Sequence, residues 1–273
     1  MIISFDEQRL SDSPFVERIW HSHSEGTGTF ISIAESRWEI VVMKHQGKTT
    51  LIVRGPETKA TTAYCPTDGE WLGIRFKPGT FLQHLPARNL VDSSVTLPEA
   101  TSNSFWLHGS ALQFPNYENA DTFVERLMRE GLLVREPIVG AALQGQLIDR
   151  SQRSVQRRFL QATGITQSAA HQIERARYAT LLLRQGTSIV DTVHKAGYFD
   201  QPHMVRSLKH YIGQTPTQII RDSQHMQLSF LYKTLPFDSP TIADEEQREQ
   251  NYYEKNLFER WRSPIVYDQT AIK

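Results

Sequence analysis

Hydrophobic and polar positions follow two different periods along the chain, and the change between them divides the sequence. Before about Val95, β-prone residues form short runs at 38–43, 49–53 and 71–76. Turn-forming pairs separate these runs, at Gln46-Gly47, Gly55-Pro56, Asp68-Gly69 and Pro78-Gly79. Short strands at this spacing predict an antiparallel β sandwich or barrel in the N-terminal domain, residues 1–118.

From Ala120 onward, the apolar residues fall at helical spacing until Gly131. The predicted apolar face consists of Phe123, Val124, Leu127 and Met128. Pro115 interrupts the pattern just upstream, so we expect a domain boundary within about 114–121. A linker helix is predicted over 119–136.

An internal repeat appears when residues 137–221 are shifted along themselves by 49 positions. The coinciding pairs are Ser151 with Asp200, Gln152 with Gln201, Val155 with Met204, Arg157 with Arg206, Phe159 with Leu208, Gly164 with Gly213 and Thr166 with Thr215. Each copy begins with a residue whose side-chain oxygen can cap a helix, and each ends at a glycine suited to the left-handed conformation. The repeat therefore predicts two short, equivalent helices.

Each repeat helix is predicted to pack one face and to expose the other. Val155 and Phe159, like Met204 and Leu208, lie four residues apart and form the apolar faces. The opposite faces carry the candidates for contact with DNA bases, which are Arg153, Gln156, Arg157, Gln201, Pro202, His203 and Arg206. Arg and Gln match the hydrogen-bonding edges of guanine and adenine in the major groove, where an α-helix fits.

Other roles for some of these residues stay open. For Arg157 and Arg206, the alternative is a solvated helix face with local ion pairs. His203 is also suited to a phosphate or capping contact, and Pro202 to starting a helix. Candidates for phosphate contact, which carries no base preference, are Arg175 and Lys209.

The elements around the repeat helices have the order of a helix-turn-helix motif. A short predicted helix and a turn precede each of them, at 137–143 and at 188–195, and the second turn contains Gly197. A longer predicted helix at 168–184, ended by Gly186, joins the two copies. The pattern predicts an all-α double helix-turn-helix domain over 137–221, in a two-domain α+β chain.

Charge is concentrated in this predicted domain, although the whole chain has a formal net charge of +0. Residues 137–221 contain eleven basic and four acidic residues, an excess of seven positive charges. Contact with DNA phosphates requires a local excess of this kind. The charge distribution therefore favours a nucleic-acid partner.

Composition excludes several other classes of protein. No apolar run approaches a membrane span, and the N-terminus lacks the pattern of a signal peptide, so we expect no membrane partner and a cytoplasmic location. Cys65 is the one cysteine and cannot form an internal disulfide; a buried small residue is its simplest interpretation. The histidines that raise the alternative of a metal site are His21, His23, His45, His84 and His108. Because no carboxylate accompanies them at a recognisable metal spacing, we expect no metal and no cofactor.

The C-terminal extension, residues 222–273, is predicted to be partly helical. An apolar stripe lies within an otherwise charged segment that begins at about Ala243. The stripe consists of Tyr253, Leu257, Phe258 and Trp261. Such a stripe requires a partner, and both docking on the N-terminal domain and a contact in a homodimer stay open.

The repeat residues also resemble a known family. The run 196–206, AGYFDQPHMVR, followed by Gly213-Gln214-Thr215-Pro216, is similar to the signature of the AraC/XylS transcription regulators of bacteria. The run 151–159, SQRSVQRRF, is similar to the first helix-turn-helix of that family. The resemblance implies two recognition helices in successive major grooves on one face of the duplex. It assigns base reading to the seven candidates above.

The N-terminal region resembles the cupin-like effector domains of many members, through Gly55-Pro56-Glu57-Thr58 and the run 73–79, GIRFKPG. The family consists mostly of activators that recruit RNA polymerase, sometimes as dimers. The resemblance therefore implies a DNA-binding regulator that responds to a small-molecule effector and is not an enzyme. The alternatives from another class are a DNA-repair alkyl transferase, which would need a reactive cysteine, and a metal-dependent cupin enzyme.

Overall fold

The computed structural model describes residues 2–221. The strands are β1 (Ile3–Leu10), β2 (Val16–Ser24), β3 (Gly28–Ser32), β4 (Glu39–His45), β5 (Lys48–Arg54), β6 (Thr61–Cys65), β7 (Glu70–Phe76), β8 (Thr80–Leu82), β9 (Ser94–Thr96), β10 (Glu99–Thr101), β11 (Ser104–Leu107), β12 (Ser110–Gln113) and β13 (Leu133–Arg135). The α-helices are α1 (Ala120–Arg129), α2 (Pro137–Gln144), α3 (Gln152–Thr163), α4 (Gln167–Arg184), α5 (Ile189–Lys195), α6 (Gln201–Tyr211) and α7 (Pro216–Arg221). A short 3₁₀ helix lies at Ala87–Asn89. The predicted change from strands to helices is confirmed.

The main sheet of the N-terminal region contains six antiparallel strands in the order β1-β2-β7-β4-β5-β9. The three predicted strands are its members β4, β5 and β7. Between β4 and β5, Gln46 and Gly47 both have positive φ, at 50° and 73°. Positive φ at both central residues is what a tight two-residue hairpin requires, so the predicted turn is confirmed there.

The main sheet has one fully packed face and one face that bounds a cavity. Ile19, Ile40 and Ile74 alternate inward and belong to a core that also contains Phe123 and Leu127 of α1. The opposite face is covered by the two-stranded sheet of β3 and β6. The β-rich prediction is confirmed in this layered form. Within residues 2–221, the strands are distributed over four sheets and do not close into a barrel, because β1 and β9 remain separate edges.

Residues 119–136, predicted as a linker helix, form the helix α1 and then the strand β13. Gly131 has a φ of 69° and follows the end of α1. Leu132 and Leu133 are then buried, and β13 pairs with β8. The linker-helix prediction is therefore correct only for Ala120–Arg129. Burial against the N-terminal core draws the following residues into a strand.

The helical module, residues 137–221, contains two hydrophobic clusters, one for each copy of the repeat. Phe159 and Ile173 lie in the cluster of the first copy, and Met204 and Leu208 lie in that of the second. All five helices predicted between 137 and 213 are observed, with ends that differ from the prediction by one residue at most. The predicted helical tail and its apolar stripe lie outside the described residues.

Candidate nucleic-acid interface

The first repeat helix, α3, begins and ends where its capping residues predict. The hydroxyl of Ser151 accepts a hydrogen bond from the Ser154 backbone N–H at 3.4 Å. Gly164 caps the other end with a φ of 80°. Phe159 is 1% exposed, and it anchors the apolar face in the module core. Local capping and one buried aromatic therefore fix the axis and the rotation of α3.

The second repeat helix, α6, is built in the same way at the equivalent positions. The carboxylate of Asp200 accepts from the His203 backbone N–H at 2.7 Å. Gly213 follows the helix with a φ of 82°. Met204 and Leu208 are fully buried. The structural equivalence that the 49-residue repeat predicts is present in both the caps and the packed faces.

The candidate base-reading residues lie on the opposite, solvent-facing sides of the two helices. On α3, Arg153, Gln156 and Arg157 are all exposed. On α6, Gln201, Pro202 and Arg206 are exposed, and His203 is half-buried. The ring of His203 packs edge-on against Tyr198, with ring centroids 5.2 Å apart. The structure thus places six of the seven candidates on open helix faces and the seventh at the border of the core.

Three arginines on these faces have no competing partner among the described residues. Within residues 2–221, the guanidinium groups of Arg153, Arg157 and Arg206 form no ion pair and no hydrogen bond. The neighbouring Arg158 differs, since its Nη1 lies 3.3 Å from a Glu136 carboxylate oxygen. Local ion pairs are therefore not what holds the first three side chains. Each retains five N–H donors for an external ligand.

Arg175, a candidate for phosphate contact, braces the second helix-turn-helix motif. Its guanidinium lies over the Tyr198 ring, 4.8 Å from the centroid, and Nη1 donates to the Gly197 carbonyl at 3.3 Å. Burial raises the pKa of Tyr198 to about 12, and its hydroxyl lies 2.9 Å from that of Ser207. Arg175 therefore holds the turn before α6. The other candidate, Lys209, is exposed.

Two charged residues of the joining helix α4 are buried rather than available to a nucleic acid. Glu174 and Arg177 are 3% and 1% exposed. Leaving them out removes one charge of each sign, so the excess of seven positive charges in the module remains. Their partners come from the N-terminal region, at a point where the sequence pattern gave no sign of a contact.

These partners belong to a segment we call the wedge, residues 33–37, which connects β3 to β4. Arg177 Nη1 lies 3.2 Å from a carboxylate oxygen of Glu35, and Arg37 Nη1 lies 3.0 Å from a carboxylate oxygen of Glu174. The Ser36 hydroxyl donates to Glu174 at 2.5 Å. The wedge therefore holds α4 by charge-assisted hydrogen bonds in a buried environment.

The wedge also contributes apolar contacts to both copies of the repeat. Ile33 belongs to the hydrophobic cluster that contains Met204, and Ala34 belongs to the cluster that contains Phe159. The Ala34 backbone N–H donates to the carbonyl of Tyr211 at the end of α6, at 2.8 Å. One short loop thus contacts the first copy, the second copy and the helix that joins them.

Of the five histidines that raised a metal site, four lie in two separate pairs within the described residues, and His45 belongs to neither pair. His21 and His23 on β2 both contact the Asp6 carboxylate, through Nδ1, at 2.9 and 2.5 Å. The sequence did not reveal this carboxylate, because Asp6 reaches the histidines across the β1–β2 pairing, at a bulge. His84 stacks on His108, with centroids 4.3 Å apart. Asp6, His21 and His23 come together, but among residues 2–221 no group of three or more His, Cys, Asp and Glu side chains has an arrangement that could hold a metal ion.

Cys65 lies on β6 and has the properties of a structural cysteine. Its side chain is fully buried, and burial raises the pKa of the thiol. A reactive cysteine needs the opposite environment, one that lowers the pKa and admits the substrate. The interpretation of Cys65 as a buried small residue is confirmed.

Comparison with known protein families identifies the module. Residues 146–222 match the family model described as a helix-turn-helix domain. The match covers α3 to α7, and it supports the resemblance of this segment to the AraC/XylS regulators. The comparisons with curated proteins and with solved structures returned no match. The match of residues 146–222 shows that the chain carries a DNA-binding domain of transcription regulators.

Within residues 2–221, no helix has both the length and the apolar character that crossing a membrane requires.

Proposed function

We propose that this protein is a sequence-specific transcription regulator that binds duplex DNA through α3 and α6 and responds to a ligand in its N-terminal domain. The observation that carries the proposal is the pair of equivalent helices, α3 and α6, whose exposed faces hold arginines without an ion pair to any of residues 2–221. The AraC/XylS resemblance adds two further parts to the proposal: activation by contact with RNA polymerase, and assembly as a homodimer.

Base recognition is assigned to both helices. Arg153, Gln156 and Arg157 read one stretch of the major groove from α3. Arg206 and Gln201 of α6 read the next stretch of the major groove, and Pro202 contacts a thymine methyl group. His203, at the border of the core, contributes a further base contact from the first turn of α6. Arginine binds guanine O6 and N7 with two parallel hydrogen bonds, and glutamine binds adenine in the same manner. Within the described residues no internal ion pair of these arginines has to be broken before binding, so the main cost is the conformational entropy of each immobilised side chain, about 0.5 to 1.5 kcal/mol.

Ligand response is assigned to the cavity between the main sheet and the sheet of β3 and β6. Its volume is about 280 Å³, close to the lower end of the range for small-molecule pockets, roughly 300 to 1,000 Å³. The wedge follows β3 directly and contacts both recognition units. A ligand in the cavity would contact β3, and only the wedge would separate β3 from the joining helix α4.

The proposed function is tested by selecting bound fragments from genomic DNA with the full-length protein and then footprinting the selected site. We expect two protected patches on one face of the duplex, about one helical turn apart. The triple variant Arg153→Ala/Arg157→Ala/Arg206→Ala is expected to lose selective binding. Arg129→Ala, an exposed arginine on α1, serves as the matched control. Failure to enrich any sequence, or enrichment that survives in the triple variant, would contradict the proposal.

A further inference from the structure

Four of the twelve residues that line the cavity in the N-terminal domain are aromatic, and four more are aliphatic. Trp20 and Trp71 face it from the main sheet, and Phe30 and Tyr64 face it from β3 and β6. The indole of Trp20 packs directly over Gly73 of β7. A side chain at that position would exclude it, because a Cβ there would lie 1.9 Å from the indole Cε2. Aromatic walls favour a planar, apolar ligand body, which stacks on them.

One end of the cavity is polar and carries a positive charge. Ser94 pairs with Arg54 across β9 and β5, and the Ser32 hydroxyl donates to Glu57, the partner of Arg54; both serines line the cavity. Arg54 is the one charged residue among the lining residues of the described chain. Its Nη2 lies 2.6 Å from a carboxylate oxygen of Glu57, a contact that uses one of the five guanidinium donors. The remaining N–H donors of the Arg54 guanidinium can therefore bind a second anionic group. Their planar arrangement matches the two oxygens of a carboxylate.

Glu57 connects this polar end to the wedge. One carboxylate oxygen is bound by Arg54, and the other accepts from the Ser32 hydroxyl at 2.9 Å. The backbone of Glu57 exchanges two hydrogen bonds with that of Glu35, at 2.8 and 2.9 Å. The Glu35 side chain in turn contacts Arg177 of α4. A continuous set of polar contacts therefore runs from the cavity to the helix between the two recognition units.

We propose that the cavity binds a small planar organic anion, whose negative group pairs with the Arg54 donors that Glu57 does not use and weakens the Arg54–Glu57 contact by repelling the Glu57 carboxylate. Weakening the Arg54–Glu57 contact changes the position of Glu57, and its backbone pairing with Glu35 transmits the change to the wedge and α4. This inference rests on the proposed function only for its consequence at DNA. Ligand binding and the response of the wedge do not depend on DNA, and both can be measured in its absence.

Charge decides the class of ligand, because the aromatic walls accept neutral and anionic molecules alike. A neutral ligand gains from stacking and from at most an ordinary hydrogen bond to Arg54, and it does not repel Glu57. An anion adds a charge-assisted contact with Arg54 and repels the carboxylate of Glu57. It therefore changes the position of Glu57, whose backbone is paired with Glu35 of the wedge. The expected discrimination is therefore between an acid and its uncharged analogue of the same shape.

The ligand class is tested by calorimetric titration of the full-length protein with 2-naphthoate and with 2-naphthamide, without DNA. We expect 2-naphthoate to bind at least tenfold more tightly than the amide. Arg54→Gln should abolish this preference, Arg54→Lys should retain part of it, and Arg129→Gln should leave it unchanged. Thermal unfolding of each variant verifies that it is folded. Equal affinity for the two probes, binding of neither, or an unchanged preference in folded Arg54→Gln would overturn the assignment.

The connection to the wedge is tested by hydrogen exchange of the same protein with and without saturating 2-naphthoate. We expect the amides of Ala34, Glu35 and Glu57 to change their exchange rates at least threefold. Glu57→Gln should still bind the probe, and the change at Ala34 should be lost. A response at Ala34 that persists in Glu57→Gln, or no response in the original protein, would overturn the connection. Because neither measurement uses DNA, a failure of DNA recognition would be a separate result.

Discussion

At the scale of single residues, arginines of the same helical module have opposite environments and different roles. Arg157 and Arg206 are exposed and unpaired within the described residues, whereas Arg177 is 1% exposed and contacts Glu35. The helical repeat predicts which arginines face away from the module core. It does not predict the role of Arg177, because the partner of that residue lies 142 positions earlier in the chain.

Replacing Arg157 or Arg206 with alanine is expected to cost about 1 to 3 kcal/mol of binding free energy at the cognate site. The physical reason is the loss of a two-bond contact with one base, which also relaxes the preference at that base pair. Fluorescence anisotropy with the cognate site and with its single-base variants measures both effects. Lys209→Ala is the control, since loss of a phosphate contact weakens all sequences evenly. An even loss for Arg206→Ala on cognate and random DNA would contradict base reading.

At the scale of elements, local signals predict the helices well and the sheets only in part. Ser151 and Asp200 cap α3 and α6, and these residues are visible in the sequence because a cap acts on the three residues that follow it. Pairing of strands is decided by contacts between distant segments. The order β1-β2-β7-β4-β5-β9, and the addition of β13 to β8, therefore could not be derived from the local pattern.

Removing either cap should destabilise the module by a similar amount, because the two positions are structurally equivalent. We expect Ser151→Ala and Asp200→Ala each to lower the free energy of unfolding by about 1 kcal/mol. Asp200→Asn keeps a side-chain oxygen at the cap and should cost much less. Urea denaturation followed by circular dichroism gives the values. A loss in Asp200→Asn as large as that in Asp200→Ala would show that the negative charge, and not the cap, stabilises α6.

At the scale of the whole molecule, the wedge joins the N-terminal domain to both copies of the repeat. Its contacts are buried and include two ion pairs with α4, so the domains do not meet through a loose surface. The resemblance to a family predicts that the two domains occur together. It does not predict how they touch, since the wedge residues form no motif and become recognisable only through their partners.

Breaking the buried contact of Glu174 should destabilise the protein more than breaking a surface ion pair. Glu174→Gln removes one of three carboxylates around Arg37, since Glu17 and Glu35 each remain 3.0 Å from its guanidinium. The expected cost is that of one buried hydrogen bond to a charged group, about 1.5 to 3 kcal/mol. Arg126→Ala removes an exposed pair with Glu130 on α1 and should cost at most about 1 kcal/mol. Chemical denaturation of the two variants gives the comparison. Equal losses would mean that the domain interface contributes little to stability.

The central claim is that two equivalent helices, held at a fixed separation by α4 and the wedge, read neighbouring major grooves. It is tested most directly by measuring the affinity for the selected site after inserting 5 or 10 base pairs between its two halves. A rigid module cannot follow either insertion, because 10 base pairs move the second half about 34 Å along the axis even though it faces the same side. We predict that both insertions weaken binding at least tenfold. Full recovery of affinity with the 10-base-pair insertion would contradict the claim, since it would show that the two recognition units move independently.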